Sequence, residues 1–151
     1  MKLLVCAMEA SSNIHLKELK KYLSHDVKLV GVFDKELGNP LYDLTALAIM
    51  GIVDALKKLR FFFKLRDELV DLAKDSDKVL LMDSSGFNLP LAKKLRETYP
   101  NKEIIYYILP QAWAWKKGRV AKLEKYCTKL CSIIPFESEM YSDKNKITYV
   151  G

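Results

Sequence analysis

Short apolar runs separated by stretches of helical spacing constrain this chain more than any other feature. The runs lie at residues 2–8, 27–33, 78–82, 103–109 and 130–134, with a further short one at 147–150. Between them, residues 13–23 carry Leu16, Leu19 and Leu23 on one side of a helix. Residues 44–72, 89–96 and 119–125 keep a similar period. Buried runs of strand length alternating with helices predict βαβ units and a parallel sheet covered on both faces. A chain of 151 residues without internal repeat or low-complexity tract predicts one α/β domain, or one lobe of something larger.

Composition removes several classes. Half the residues are hydrophobic, which excludes a disordered tail. Six glycines and five prolines exclude a collagen or linker chain. The net charge of +6 favours anionic partners such as phosphate, nucleic acid or acidic lipid, without choosing among them. Cys6, Cys127 and Cys131 make no disulfide framework and read as small core residues. No His or acidic set beside them completes a zinc site, so no metal is expected. The apolar residues 3–8 are too short for a secretory leader, and Glu9 interrupts them. The longest uncharged stretch, residues 104–115, falls short of the roughly 20 that a spanning helix needs. The expected location is cytoplasmic, with any membrane contact peripheral.

In parallel α/β sheets, ligands sit beyond the carboxyl ends of the strands. Three segments fall there: residues 9–13 (E-A-S-S-N), 83–88 (D-S-S-G-F-N) and 110–115 (P-Q-A-W-A-W). The first turn has no G-x-G-x-x-G, and the chain has no G-x-x-x-x-G-K-[ST], which argues against a standard nucleotide site. Ser11, Ser12 and Asn13 either cap a helix or also hold a polar ligand at its start. Asp83 ends an apolar strand, so partial desolvation should raise its pKa and suit it to accept a proton, although closing a turn is the commoner role. Trp113 and Trp115 are either core or a platform for a sugar ring. The basic run from Lys116 through Arg119 to Lys129 is a solvated face or a phosphate contact.

Residues 49–63 are the most unusual. Ile49, Ile52, Val53, Leu56, Leu59 and Phe63 keep a helical spacing, Phe61 and Phe62 widen the apolar face, and Lys57, Lys58, Arg60, Lys64 and Arg66 flank it. The pattern fits either a core stripe or an interfacial helix.

Taken in order, these segments resemble the lipid-A-disaccharide synthase family, bacterial glycosyltransferases of the two-lobed GT-B type. Glu9-Ala10-Ser11 is similar to the middle of its G-E-A-S-G-D turn, and residues 48–53 (A-I-M-G-I-V) to A-V-M-G-I-V. Residues 83–88 resemble D-S-P-D-F-N, and 106–115 (Y-Y-I-L-P-Q-A-W-A-W) resemble Y-Y-V-S-P-Q-V-W-A-W. Lys116-Lys117-Gly118-Arg119 and Ile134-Pro135-Phe136-Glu137 continue the match, which covers essentially the whole chain.

The resemblance implies a Rossmann-like three-layer domain, the N-terminal lobe of a GT-B enzyme. It implies transfer of diacylglucosamine from its UDP donor to diacylglucosamine 1-phosphate, forming a β-1,6 linkage with release of UDP in lipid A biosynthesis. Asp83 takes the family's base position, and no cofactor or metal is implied. The resemblance implies acceptor contacts from Glu9, Ser11, Ser12, Asn13, Met50, Gly51, Asn88, Gln111 and Trp113. It implies lipid contact at the inner face of the inner membrane through Val53, Leu56, Leu59, Phe62, Phe63, Lys57, Lys58 and Arg60.

Several departures stand out: Met8 replaces a glycine, Ser12 and Asn13 replace the G-D of the first turn, Gly86 replaces the second Asp of D-S-P-D-F-N, and Leu109 replaces a serine; a further one is length. The family continues past Tyr149-Val150-Gly151 into a second lobe that carries the UDP site. The chain alone is therefore expected to be inactive, with that lobe supplied in trans or the chain acting as a homodimer. The competing expectation is a non-catalytic remnant that binds a lipid surface. A nucleic-acid partner is not expected, because the cations come without a recognised nucleic-acid fold.

Overall fold

The computed structural model describes residues 1–111 and 117–151, so Trp113 and Trp115 lie outside the described residues. A six-stranded sheet forms the centre, built from β1 (Lys2–Ala7), β2 (Lys28–Val32), β3 (Lys78–Met82), β4 (Glu103–Tyr107), β5 (Lys129–Ser132) and β6 (Ile147–Tyr149). The spatial order is β2-β1-β3-β4-β5-β6, and every neighbouring pair is parallel. The helices are α1 (Ala10–Lys20), α2 (Leu44–Gly51), α3 (Ala55–Lys74), α4 (Ser85–Thr98) and α5 (Lys117–Tyr126), with 3-10 turns at Lys35–Leu37 and Glu137–Met140.

Side-chain alternation along each strand divides the core into two layers. Leu4, Cys6, Val79, Leu81, Ile104, Tyr106 and Leu130 face α3, α4 and α5, meeting Leu65, Leu69, Leu91, Leu95 and Leu123. Leu3, Val5, Ala7, Leu29, Leu80 and Met82 face the other way, onto Leu16 of α1 and onto Phe33 and Leu37. This is the α/β, Rossmann-like three-layer arrangement that the alternation predicts. The second layer thins beyond β3, where Ile105 and Tyr107 are only partly buried. Gly31 of β2 has φ +115°, and a Cβ there would stand 2.2 Å from the Val5 carbonyl oxygen. A side chain at that position would separate β2 from β1.

Helix boundaries differ from the periodic reading, for local reasons. Residues 44–72 form two helices. The first ends at Gly51, and the Asp54 carboxylate accepts from the Lys57 N–H at 3.0 Å to start the second. Asp43 does the same for α2 through the Ala46 N–H at 2.9 Å. Residues 49–63 are thus a helix–turn–helix rather than one helix. Helix α4 begins at Ser85, ahead of the expected Leu89, and takes Pro90 in its second turn. The proline removes a donor there without ending the helix. Helix α1 starts at Ala10, which puts Ser11, Ser12 and Asn13 inside its first turn rather than at its cap.

Cys6 and Cys127 are buried and free. Burial pushes the Cys127 thiol up to about 12. Among the described residues, no helix is long and apolar enough to cross a membrane.

Candidate active site

The chain lays β2 on one side of β1, then returns to lay β3 on the other side. The turns leaving β1 and β3 therefore diverge at the carboxyl edge, and ligands bind in such a crevice. Ala7 and Met82 are register partners at the last rung, so the turns after them start side by side. Glu9 closes the first turn as the N-cap of α1, but its side chain does not cap that helix. Instead its Oε1 accepts from the Ser84 hydroxyl at 2.8 Å, joining the two turns.

Asp83 directly follows β3 and precedes the bridging Ser84. Burial, and then the nearby Glu9 charge, raise its pKa above the usual carboxylate value, while the Ser84 backbone N–H opposes the rise. The carboxylate is half-buried rather than sealed. Asp83 (φ 49°) and Ser84 (φ 42°) are consecutive left-handed residues, and Ile108, directly after β4, has φ 62°. Among the described residues these are the non-glycine positions with positive φ, and all lie at the carboxyl edge. Such strain concentrates at functional sites. Met8, standing where a glycine was expected, is not among them, so its substitution leaves the first turn unstrained.

The asparagines expected to meet a ligand turn inward. Asn13 Nδ2 donates to the carbonyls of Ala7 at 3.0 Å and Glu9 at 2.8 Å, and its Oδ1 accepts from the Asp34 N–H at 2.8 Å. Asn88 Nδ2 donates to the carbonyls of Met82 and Asp83, both at 3.0 Å. Ser12 is buried as well, with no hydrogen-bond partner for its hydroxyl among the described residues. The two asparagines thus hold the turns together. Glu9, Ser11, Gly51 and Gln111 are exposed, and Met50 is half-buried in the last turn of α2.

Three participants were not singled out from the sequence. Ser84 bridges to Glu9, and Tyr106 donates its hydroxyl to the Asp83 carbonyl. Arg119, read as part of the basic run and of the segment that continues the family match, donates from its Nη1 to Ser85 Oγ at 2.5 Å at the start of α4. Gly86, where a second Asp was expected, has open space around the position of a Cβ, so the backbone does not require glycine there.

The apolar helix–turn–helix continues from this edge. Phe62 stacks toward Phe87 of α4 at 5.8 Å and Phe61 toward Tyr42 at 5.2 Å, so both rings serve the core rather than the outer face. Ile49, Ile52, Leu56, Leu59 and Phe63 are 50% to 86% exposed. Helix α2 carries no charged residue and buries none of its side chains. Lys57, Lys58 and Arg60 are exposed beside it, and Val53 is half-buried. Two wider hollows, of about 560 and 530 Å³, lie at the opposite, amino edge around Pro100, Asn101 and Lys102. They contain none of the residues above and are shallow, so size alone does not move the candidate site there.

Raising a carboxyl pKa on folding has a fixed sign. Between its unfolded and folded pKa, Asp83 binds more proton when folded, so its contribution to stability falls as pH rises through that window. Asp83→Asn should therefore raise the denaturation midpoint at neutral pH. The gain should vanish below the ordinary carboxylate range, as followed by urea unfolding across pH.

A model of the lipid-A-disaccharide synthetase family matches residues 3–151. The lipid-A-disaccharide synthase of Helicobacter pylori (strain HPAG1) is 52% identical over 149 residues, covering 99% of this chain and 40% of the relative. That of Helicobacter acinonychis (strain Sheeba) is 50% identical over 149 residues, with the same shares. That of Campylobacter jejuni (strain RM1221) is 40% identical over 160 residues, covering 98% of this chain and 43% of the relative. The chain thus spans about two fifths of the length of the curated relatives it matches. With the family model matching nearly from end to end, the chain belongs to the lipid-A-disaccharide synthetase family.

Proposed function

We propose that this chain forms the acceptor side of a lipid-A-disaccharide synthase, with Asp83 as general base. The observation that carries this reading is the Glu9–Ser84 bridge at 2.8 Å, which joins two acidic turns beside a half-buried Asp83 at the switch point of the sheet. The acceptor, a diacylglucosamine 1-phosphate, presents its 6-hydroxyl to the Asp83 carboxylate. Asp83 takes the hydroxyl proton as the oxygen attacks the anomeric carbon of UDP-diacylglucosamine. The bond to UDP breaks on the opposite face, and inversion yields the β-1,6 linkage. A carboxylate whose pKa lies above the usual range is the stronger base once ionised. Glu9, Ser11, Met50, Gly51 and Gln111 remain candidate acceptor contacts.

The donor's nucleotide falls to the part of the relatives that the match does not reach. Transfer depends on holding both reactants in one geometry, so the 151-residue polypeptide alone should give no measurable turnover. Mixing it with a separately expressed C-terminal portion of the Helicobacter pylori relative should restore disaccharide formation. Asp83→Ala should lower that rate by about a hundredfold or more, as removal of a general base does. Turnover unaffected by Asp83→Ala would overturn the assignment. A folded chain that binds lipid but never supports transfer would make it a lipid-surface module instead.

We also propose that α2 and the start of α3 rest on the inner-membrane surface from the cytoplasmic side. The uncharged, unburied α2 and the adjacent Lys57, Lys58 and Arg60 support this. Serine at Ile49, Ile52, Leu56, Leu59 and Phe63 should weaken binding to vesicles containing anionic phosphatidylglycerol at least tenfold while leaving the fold intact. Unchanged vesicle binding would contradict a lipid-facing role.

A further inference from the structure

We propose that Tyr106 and Asn88 are positioning residues that aim the Asp83 carboxylate into the crevice by clamping the Asp83 backbone carbonyl. The role in turnover rests on the reading of Asp83 as base; the conformational role does not.

Left-handed backbone costs a residue with a side chain about 1–2 kcal/mol, and Asp83 and Ser84 adopt it in succession. Something must hold them against relaxation to the extended form. Tyr106 and Asn88 are both fully buried and come from different elements. Tyr106 reaches across from β4, where it is the register partner of Leu81, and donates its hydroxyl to the Asp83 carbonyl. Asn88, in the first turn of α4, donates from one Nδ2 to the Met82 and Asp83 carbonyls, both at 3.0 Å. Its own backbone N–H bonds the Ser84 carbonyl at 2.9 Å, which closes the loop. A buried phenol needs an acceptor, and burial holds the Tyr106 hydroxyl well above the usual phenol range, so it stays a donor. Relaxing Asp83 would orphan that hydroxyl and one bond of the amide.

The turn after β1 provides an internal control. Asn13 occupies the equivalent place there, reaching back six residues to Ala7 as Asn88 reaches back six to Met82. Glu9 nevertheless has φ −110°, and neither Met8 nor Glu9 is left-handed. The second bonds differ, since Asn13 reaches the Glu9 carbonyl four residues back and Asn88 the Asp83 carbonyl five back, so the residue directly after the strand is held by its carbonyl in the second turn. The left-handed pair occurs where the tyrosine also bonds the carbonyl, and there the Asp83 carboxyl feels the Glu9 charge.

Tyr106→Phe removes the hydroxyl and keeps the ring, so the fold should survive. Two readouts test it. In the chain itself, the Cα and Cβ chemical shifts of Asp83 and Ser84 should move from left-handed toward extended values. In the mixture with the C-terminal portion of a relative, kcat should fall roughly tenfold or more while KM for the acceptor stays within about twofold, as expected for misaimed chemistry. Asn88→Ala should act in the same direction. A lowered thermal midpoint with wild-type Asp83 and Ser84 shifts would show only structural support and overturn the inference. So would wild-type kcat in Tyr106→Phe while Asp83→Ala is inactive. If Asp83→Ala keeps full turnover, the base assignment fails, and the chemical shifts still decide the clamp.

Discussion

The pairing of β1 with β3 is the constraint on which the rest depends. It places two strongly apolar strands in the interior of the sheet, and it sets the order that reverses the direction in which strands are added. Because Ala7 and Met82 end the ladder together, the next residues must separate toward helices on opposite faces. Glu9 and Asp83 are carried to one edge by that geometry. A shift of register by one residue would pull the starts of the two turns out of line and move Met82 from one core layer to the other.

The strand ends differ in how they leave the sheet. After β1, one buried asparagine satisfies the turn and the backbone stays relaxed. After β3, two donors converge on one carbonyl and two residues are left-handed. The strained turn is the one bearing the half-buried carboxylate. Strain of this size persists only where surrounding contacts over-determine it, and here they come from a neighbouring strand and a following helix. The fully buried Tyr106 and Asn88 thus link the core to the turn that bears Asp83.

Much of the architecture was legible in the residues, because a strand buried on both faces must read as an apolar run. Residues 78–82 were delimited as the structure has them, and the other strands within one or two residues at each end. Helix boundaries were less legible where a signal pointed two ways. The helical period was read from Leu89, while the helix starts at Ser85 and takes Pro90 in its second turn. The sequence G-I-V-D at residues 51–54 held a stop and a cap, which the continuous apolar period obscured. Asp83 was found from its place at a strand end. Its partners were not, since the use of the Tyr106 hydroxyl and the left-handed Ile108 depend on contacts between strands that no local pattern encodes. Asn13 and Asn88 were expected to face a ligand and face carbonyls instead, because the turns around them needed donors.

The apolar surface of α2 and early α3 adjoins this edge through the Phe61, Phe62 and Phe87 rings, so a lipid-bound acyl chain and a sugar at the crevice would lie on one continuous side of the molecule. The central claim is that the crevice between the β1 and β3 turns receives the acceptor. The most direct measurement is an amide NMR titration of the chain with a short-chain diacylglucosamine 1-phosphate. The account predicts saturable shifts concentrated at Glu9, Ser11, Asp83, Ser84 and Ser85. Shifts confined to the amino edge around Asn101 and Lys102, with the crevice silent, would contradict it.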